Sequence, residues 1–409
     1  MSESLQLGDP EPALPEDERP KRRARLALLK RLADVVSLPS SRVNAFERAV
    51  TADLLVEILR DADFDERARV ARRVSALGEI PNSLVRLLLR DDIDVAYPLL
   101  TDCASLSDVD LLDCVRFATG AHRKLIALRR GVSEVVVEAL VEVGETLVVE
   151  ALLRNEQARF SNAAIEMLVA MTQGQSHLAP LLLRRPEVRP SHAYVLFWWA
   201  DDEARRLILQ RFAVSREVMQ EAAGDVFPMA AEEGWQDDLT RKALQFIERR
   251  QRNRAAIEKS PYASLEDAVQ AAEQGITREL AEEISYLSGL KPMTGAKIMT
   301  DPGGEPLAVL CKATGLPRSA LLSLWRGLRR PETNEAGETA PALARVTMIY
   351  DMVAVDRAQT VLRYWNWALS SAMTPALIRA IQEGDDEALD EFSAPQRAAM
   401  LAMGPDLRH

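Results

Sequence analysis

The sequence is poor in the residues from which metal and disulfide sites are built. Its 409 residues include only four histidines and three cysteines. The odd cysteine count, spread over segments with helical periodicity, argues against a disulfide framework and predicts buried thiols. The histidines have no cysteine or acidic neighbours at metal-ligand spacing. We therefore expect no metal and no cofactor.

Motifs for nucleotide binding and nucleophilic catalysis are also missing. The chain has no Gly-x-Ser-x-Gly elbow, no Walker loop and no Gly-x-Gly-x-x-Gly after a strand pattern. Acidic pairs such as Asp91-Asp92 and Asp201-Asp202 precede predicted helices, where a carboxylate interacts favourably with the positive helix end. No acid-base partner accompanies them. The sequence therefore predicts no catalytic residue and a protein that is not an enzyme.

The sequence also lacks long apolar runs, and it has fewer basic than acidic side chains. No stretch of about 18 uncharged apolar residues occurs, and the N-terminus lacks the basic-then-apolar order of a signal peptide. We expect no membrane insertion and a cytoplasmic location. The 62 acidic and 51 basic side chains give a net charge of −11. Such a charge repels phosphate backbones unless basic groups share one face, which argues against nucleic acid as a partner.

What the sequence does contain is a recurring helix-start signal, a hydrophobic residue followed by serine. Serine is favoured at the N-cap because its hydroxyl accepts a hydrogen bond from an unpaired N–H of the first turn. The signal occurs at Leu106-Ser107, Val132-Ser133, Phe160-Ser161 and Val214-Ser215, with Pro190-Ser191 as a variant. The spacing of 24 to 30 residues equals two short helices and their turns. It predicts stacked helix pairs.

The repeat that begins at Ser133 is the most regular. An apolar stripe at helical spacing comprises Val132, Val135, Val136, Ala139, Leu140 and Val143. Gly144 closes this helix, and a second helix runs from Glu145 to Arg154. We expect Val136 and Leu140 to be buried between helix layers.

The same periodicity divides the chain into segments. The predicted organisation is a disordered acidic tail (1–20), a helical repeat domain (21–254), a small helical domain (262–330), a linker (331–341) and a C-terminal helix and tail (342–409). The last segment is expected to form one long helix from Ala342 to Ser371. Before residue 106 the register of the repeats is uncertain. The fold class is therefore all-α, an α-solenoid followed by a small helical C-terminal unit.

Arginines close the predicted repeats and form a candidate binding surface. They are Arg90, Arg130, Arg154, Arg184 and Arg211. An arginine in the last turn complements the negative helix end, which is the structural interpretation. The alternative is that these arginines form a row of basic side chains that binds a ligand. The arginine cluster at 249–254 is a further candidate for such binding.

The segment 310–324 has the spacing of a helix-turn-helix around Gly315 and Pro317. Its second helix carries Arg318 and Arg326, which such a motif would present to bases. Any two packed helices joined by a glycine turn have the same spacing, so this alternative stays open.

Aromatic residues cluster in the C-terminal segment. The candidates for an interface are Tyr350, Tyr364, Trp365 and Trp367. Aromatic side chains of this kind either fill a core or cover an interface with a partner or a second copy of the chain.

Several segments resemble a known family. The segments Asp91 to Leu100, Leu106 to Leu112, and Val132 to Asn155 with Ala158 to Ser161 are similar to the repeats of an uncharacterised alphaproteobacterial family of HEAT-like helical-repeat proteins, a domain of unknown function. The turn Asp301-Pro302-Gly303-Gly304 and the segment from Cys311 to Pro317 resemble its C-terminal part. The resemblance covers about residues 50–330, and it implies an all-helical unit at 310–324 and no established activity.

Two functions follow as the main hypotheses, and an enzyme with a site hidden between repeats is a third. The first is a non-enzymatic scaffold or adaptor for an unidentified protein partner in bacterial regulation, acting through the surface of the stacked helices. The second is a nucleic-acid-binding regulator that uses the repeat-end arginines or the helix-turn-helix-like segment. The sequence identifies neither the partner, the oligomeric state nor any small ligand.

Overall fold

A computed structural model describes residues 18–39, 41–215 and 257–366, together with the single positions 218, 368 and 369. Over these ranges the protein is all-helical, which confirms the predicted class, and the one extended pairing there is an isolated bridge between Thr333 and Thr339. The helices in chain order are α1 (Glu18–Val36), α2 (Ala45–Arg60), α3 (Phe64–Val74), α4 (Asn82–Leu89), α5 (Ile93–Asp102), α6 (Asp108–Phe117), α7 (Gly120–Leu128), α8 (Glu134–Val143), α9 (Thr146–Arg154), α10 (Asn162–Met171), a 3-10 helix (Ser176–Leu178), α11 (Ala179–Leu182), α12 (Pro190–Leu196), α13 (Asp202–Arg211), α14 (Leu265–Ala272), α15 (Arg278–Leu287), α16 (Pro292–Thr300), α17 (Glu305–Thr314), α18 (Arg318–Gly327), α19 (Pro341–Met352) and α20 (Val355–Asn366).

The chain divides into two compact units, Met1–Ala164 (unit 1) and Ile165–His409 (unit 2). This division falls inside α10, whereas the sequence predicts a boundary between 254 and 262. Residues 18–20, assigned to the acidic tail from sequence, begin α1. The rest of that tail, the arginine cluster at 249–254 and the tail beyond 369 lie outside the described residues.

Unit 1 consists of two rows of helices. Row A is formed by α1, α3, α5, α7 and α9, each in contact with the next. Row B is formed by α2, α4, α6 and α8 in the same way. Contacts of α4 with α5, α6 with α7 and α8 with α9 join the rows. Each of the row B helices α4, α6 and α8 therefore has one side against row A, and we find no further helix of the described part of unit 1 packed on its opposite side.

The serine signals mark helix starts at some but not all predicted positions. Ser107 caps α6, and its hydroxyl accepts a hydrogen bond from the Asp110 N–H. Ser161 accepts one from Ala164 at 3.1 Å, as predicted. Ser133 precedes α8 with extended backbone but makes no capping bond. Ser191 is wrong as a cap: it lies inside α12, because Pro190 already occupies the first turn.

Helix α8 shows where the predicted register holds and where it shifts. Val136 and Leu140 are fully buried, as predicted. Val135 and Val143, which the sequence assigned to the same stripe, are instead 56% and 44% exposed. Their places are taken by Val137 and Val141. At about 100° per residue, the arc from 136 to 141 faces the rest of unit 1, Val135 lies opposite this arc, and Val143 lies at its edge beside Val136.

Unit 2 is organised around one helix. Eight of the ten residues of α17 are buried, and it contacts α16, α18, α19 and α20. A helix that is apolar on all sides is stable only when other helices surround it. Helix α14 contacts α15 and α18, while α12 contacts α20 and α13 contacts α19.

The C-terminal segment differs from the single long helix that the sequence predicts. Val353 is extended (φ −81°, ψ 129°) and ends α19, and α20 begins two residues later. Both helices pack on α17, which requires the chain to turn back between them. The predicted linker at 331–341 forms a closed loop, in which the Asn334 N–H donates to the Glu338 carbonyl and the Ala340 N–H to the Glu332 carbonyl, both at 2.8 Å.

Candidate functional site

Three arginines occupy the same place in their helices, four residues after the N-cap of α3, α7 and α13. Each guanidinium donates back to the carbonyl of the alanine that precedes the N-cap. The pairs are Arg67 with Ala62 (2.7 Å), Arg123 with Ala118 (2.7 Å) and Arg205 with Ala200 (3.1 Å). The sequence analysis missed this position, although the spacing Ala-x-x-x-x-Arg is visible in all three segments.

In unit 1 these arginines tie consecutive helices of row A together. Arg67 binds both carboxylate oxygens of Asp91, at 2.6 and 3.1 Å, just before α5. Arg123 binds Glu145, the N-cap of α9, with its Nε at 3.1 Å. His122 adds a further link, since its Nε2 lies 3.1 Å from the Asp91 carbonyl. Burial lowers the pKa of this imidazole, so the neutral ring donates one hydrogen bond and accepts another.

In unit 2 the equivalent arginine enters a buried ion cluster. Arg205 binds both oxygens of Asp301 at 2.8 Å and Glu305 at 2.9 Å. Arg345 binds the other oxygen of Glu305 at 2.7 Å. The Glu305 side chain is fully buried, and those of Asp301 and Arg205 are 3% and 6% exposed. Burial alone lowers the pKa of Arg205, but the hydrogen bonds and charges of both carboxylates outweigh it and raise that pKa.

The Asp301-Pro302-Gly303-Gly304 turn fits closely around this cluster. Gly304 has φ +82° and donates its N–H to the Asp301 carboxylate at 2.9 Å. A Cβ at Gly303 would lie 2.1 Å from the Glu305 carboxylate. Arg330 donates to the carbonyls of Met299, Asp301 and Pro302. Each buried carboxylate of the cluster is thus paired with at least one arginine, as buried charges require.

The structure places the repeat-end arginines at or just after helix ends. Arg154 pairs with Glu150 of its own helix at 2.7 Å. Arg211 donates to the Leu183 carbonyl at the end of α11 at 2.6 Å. Arg130 and Arg184 are exposed just after α7 and α11. Arg154 thus contacts a carboxylate of its own helix, and Arg211 a carbonyl at the end of another helix.

Arg90 differs from the other four because it stands beside an exposed aromatic ring. Its guanidinium lies 4.8 Å from the ring centroid of Phe117 and 3.9 Å from the Asp113 carboxylate. Cation–π contacts of this kind and arginine–aromatic pairs are enriched where proteins meet.

The helix-turn-helix-like segment consists of α17 and α18, joined at Gly315 (φ +79°). Arg318 pairs with Asp351 at 3.2 Å. Arg326 pairs with Glu332 and Glu273, whose hydrogen bonds raise the pKa of the guanidinium. Both arginines that the motif would present to DNA are thus matched by carboxylates.

Two of the four aromatic interface candidates are core residues. Tyr364 and Trp365 are 2% and 0% exposed, which corrects their assignment to an interface. The Trp365 ring lies 4.8 Å from that of Phe197, and its Nε1 donates to the Tyr194 carbonyl. Tyr350 is half-buried and donates to the Leu316 carbonyl. Trp367 lies outside the described residues.

The unpartnered face of row B carries paired hydrophobic side chains, and we call this set the outer face. They stand eight residues apart on α2, α6 and α8, so the two members of a pair lie about 80° apart around the helix axis, and they are 44% to 77% exposed. The pairs are Phe46 and Leu54, Val109 and Phe117, and Val135 and Val143. Exposed apolar groups in row A stand singly, one on each helix, at Leu28, Phe64, Tyr97, Leu128 and Leu147. The sequence analysis missed the outer face because it assigned Val135 and Val143 to the core.

A line of three glutamates borders the outer face on α8. Glu134, Glu138 and Glu142 stand four residues apart, each one position before Val135, Ala139 and Val143 respectively. Glu134 and Glu142 are exposed, while Glu138 is half-buried and accepts a hydrogen bond from the Ser161 hydroxyl. This part of the outer face is therefore both apolar and negatively charged.

The three cysteines lie in buried positions. All three cysteines are buried free thiols, as predicted. Burial raises the pKa of Cys114 to about 11 and that of Cys311 to about 12. Among the described residues, no histidine, cysteine and carboxylate groups converge as a metal site would require. None of the helices in the described part of the chain is long and apolar enough to cross a membrane.

Comparison with known proteins gives a family and no activity. No curated protein and no solved structure matches the chain. A family model described as "Uncharacterised protein conserved in bacteria (DUF2336)" matches residues 95–363, well over half of the sequence. The match takes in α6, α8 and the buried ion cluster. The chain therefore belongs to this bacterial family of uncharacterised proteins.

Proposed function

We propose that this protein is a non-enzymatic scaffold or adaptor in the bacterial cytoplasm, in which a HEAT-like α-solenoid binds a regulatory protein partner. The observation that carries the proposal is the outer face, where hydrophobic side chains recur in pairs on three helices of row B. Stacked helix pairs commonly bind partners through such extended surfaces.

The composition of the outer face supports a protein partner. Isolated exposed hydrophobic residues are normal, but neighbouring apolar groups rimmed by polar groups are typical of an interaction site. The pairs on α6 and α8 are on neighbouring helices, whereas α4, which has no large exposed hydrophobic residue, separates them from the pair on α2. Phe117 beside Arg90 supplies the aromatic and arginine side chains that most often act as binding hot spots.

Nucleic acid is the weaker alternative. Arg318 and Arg326 are each paired with acidic side chains, as is Arg154. A phosphate backbone would have to compete with these carboxylates and with a net charge of −11.

The test is affinity capture from the native cell with the full-length tagged chain, read by quantitative mass spectrometry. A row B variant carries Val109→Ser, Phe117→Ser and Val135→Ser. Loss of a hot-spot contact costs about 2 kcal/mol or more, so recovery of the partner should fall at least about tenfold.

The matched control carries three serine substitutions at exposed hydrophobic positions of row A, Tyr97, Leu128 and Leu147. It should retain the partner within about twofold of wild type. Circular dichroism verifies that both variants fold. Equal loss in the two variants would contradict the proposal, and recovery that disappears on nuclease treatment would favour the nucleic-acid alternative.

A further inference from the structure

We infer that the α6–α8 part of the outer face binds a basic amphipathic helix of the partner protein. This inference rests on the proposed scaffold function and adds the chemistry of the partner segment. It follows from the width of the apolar surface and from its negative charge, which disfavours duplex nucleic acid and anionic lipid surfaces.

The apolar surface has the dimensions of one helix. On α8, Val135, Ala139 and Val143 extend over eight residues, or about 12 Å at 1.5 Å per residue. On α6, Val109 and Phe117 extend over the same length. Helices α6 and α8 are neighbours in row B, and packed helices lie about 8–10 Å apart. Two stripes at that separation match the diameter of a single docked helix, which would bury its apolar face between them.

The charge of the surface indicates which charged side chains the polar face of the docked helix carries. Glu134, Glu138 and Glu142 follow the α8 stripe along its whole length. On α6, Arg90 pairs with Asp113, and the charge of the exposed Arg116 is offset by that of the exposed Asp108, so the net negative charge of the rim comes mainly from the glutamates. Lysine or arginine residues on the partner helix would pair with these glutamates while its apolar residues cover the valines. The same glutamates repel duplex nucleic acid and anionic lipid surfaces.

The experiment measures binding of a fluorescein-labelled 18-residue peptide of leucine and lysine, designed as an amphipathic helix, by anisotropy with the full-length protein. A second peptide carries glutamate at every lysine position. At about 150 mM salt we expect the basic peptide to bind at least about tenfold more tightly than the acidic one.

Charge reversal locates the site. The variant Glu134→Lys with Glu142→Lys should weaken binding of the basic peptide about tenfold, since two attractive contacts become repulsive. The control variant Glu156→Lys with Glu335→Lys makes the same change in net charge at two exposed turn positions that are not part of the outer face. It should change the affinity less than about twofold at this salt concentration. A variant with Val135→Ser and Val143→Ser should also weaken binding, which a purely electrostatic contact would not.

Equal weakening by the two charge-reversal pairs, equal affinity for the two peptides, or binding to anionic vesicles instead would overturn the inference. The proposed scaffold function fails separately: it fails if the row B and row A serine variants capture the same proteins. A loss of captured partner in the row B variant together with no peptide preference would leave the scaffold function standing and reject only the basic helix.

Discussion

Unit 1 and unit 2 use the same arginine position in different ways. In unit 1, Arg67 and Arg123 bind carboxylates 24 and 22 residues further along the chain, at the start of the next row A helix. In unit 2, Arg205 binds Asp301 and Glu305, which lie 96 and 100 residues away. One local motif thus serves a repeating contact in the first unit and a long-range contact in the second.

This difference predicts that the two units respond differently when a stabilising contact is removed. Repeating units that contact mainly their neighbours are stabilised step by step and open locally. A unit arranged around a central buried helix such as α17 loses many contacts at once when that helix is disturbed. Mutations that break the arginine contacts therefore separate the two cases.

The largest effect is expected at Arg205. The variant Arg205→Met leaves the Asp301 and Glu305 carboxylates buried without this cation, which should lower the free energy of unfolding by about 3–5 kcal/mol. Urea denaturation measures it. The matched variant is Arg123→Met, whose partner Glu145 has a 36% exposed side chain. Its cost should be smaller, about 1–2 kcal/mol, and equal costs would contradict the distinction between the units.

The next largest loss of unfolding free energy is expected from a cavity in unit 1. The variant Leu140→Ala removes a fully buried side chain of α8 and should cost about 2–5 kcal/mol. Val135→Ala on the exposed side of the same helix is the control and should cost within about 0.5 kcal/mol. Hydrogen exchange should localise the Leu140→Ala effect to α8 and its neighbours in unit 1. A loss below about 0.5 kcal/mol for Leu140→Ala would show that the register of α8 is wrong.

Local signals made much of unit 1 predictable. Capping by Ser107, the left-handed Gly144 that ends α8 and the burial of Leu140 all depend on residues within one or two turns. The exposed side of α8 was assigned wrongly because Val135 and Val143 are as hydrophobic as the core. Only the packing of neighbouring helices decides which valines are covered.

Unit 2 was less predictable because its determinants are far apart in the sequence. Nothing near Arg205 reveals that its partners stand at the Asp301 turn. The apolar sequence of α17 matched a helix-turn-helix spacing, whereas its burial on all sides depends on α19 and α20. Trp365 likewise became a core residue only through contact with the ring of Phe197.

The measurement that tests the central claim most directly is photo-crosslinking in the native cell. A photoreactive amino acid is placed at Phe117 or Val135 on the outer face, and at Tyr97 or Leu147 in row A, one position per full-length protein. All four side chains are exposed, so the photoreactive group is accessible to a partner at each position. The account predicts a discrete crosslinked protein from Phe117 and Val135 and none from the row A positions. Adducts of the same protein from Tyr97 and Leu147, with none from the outer face, would contradict it.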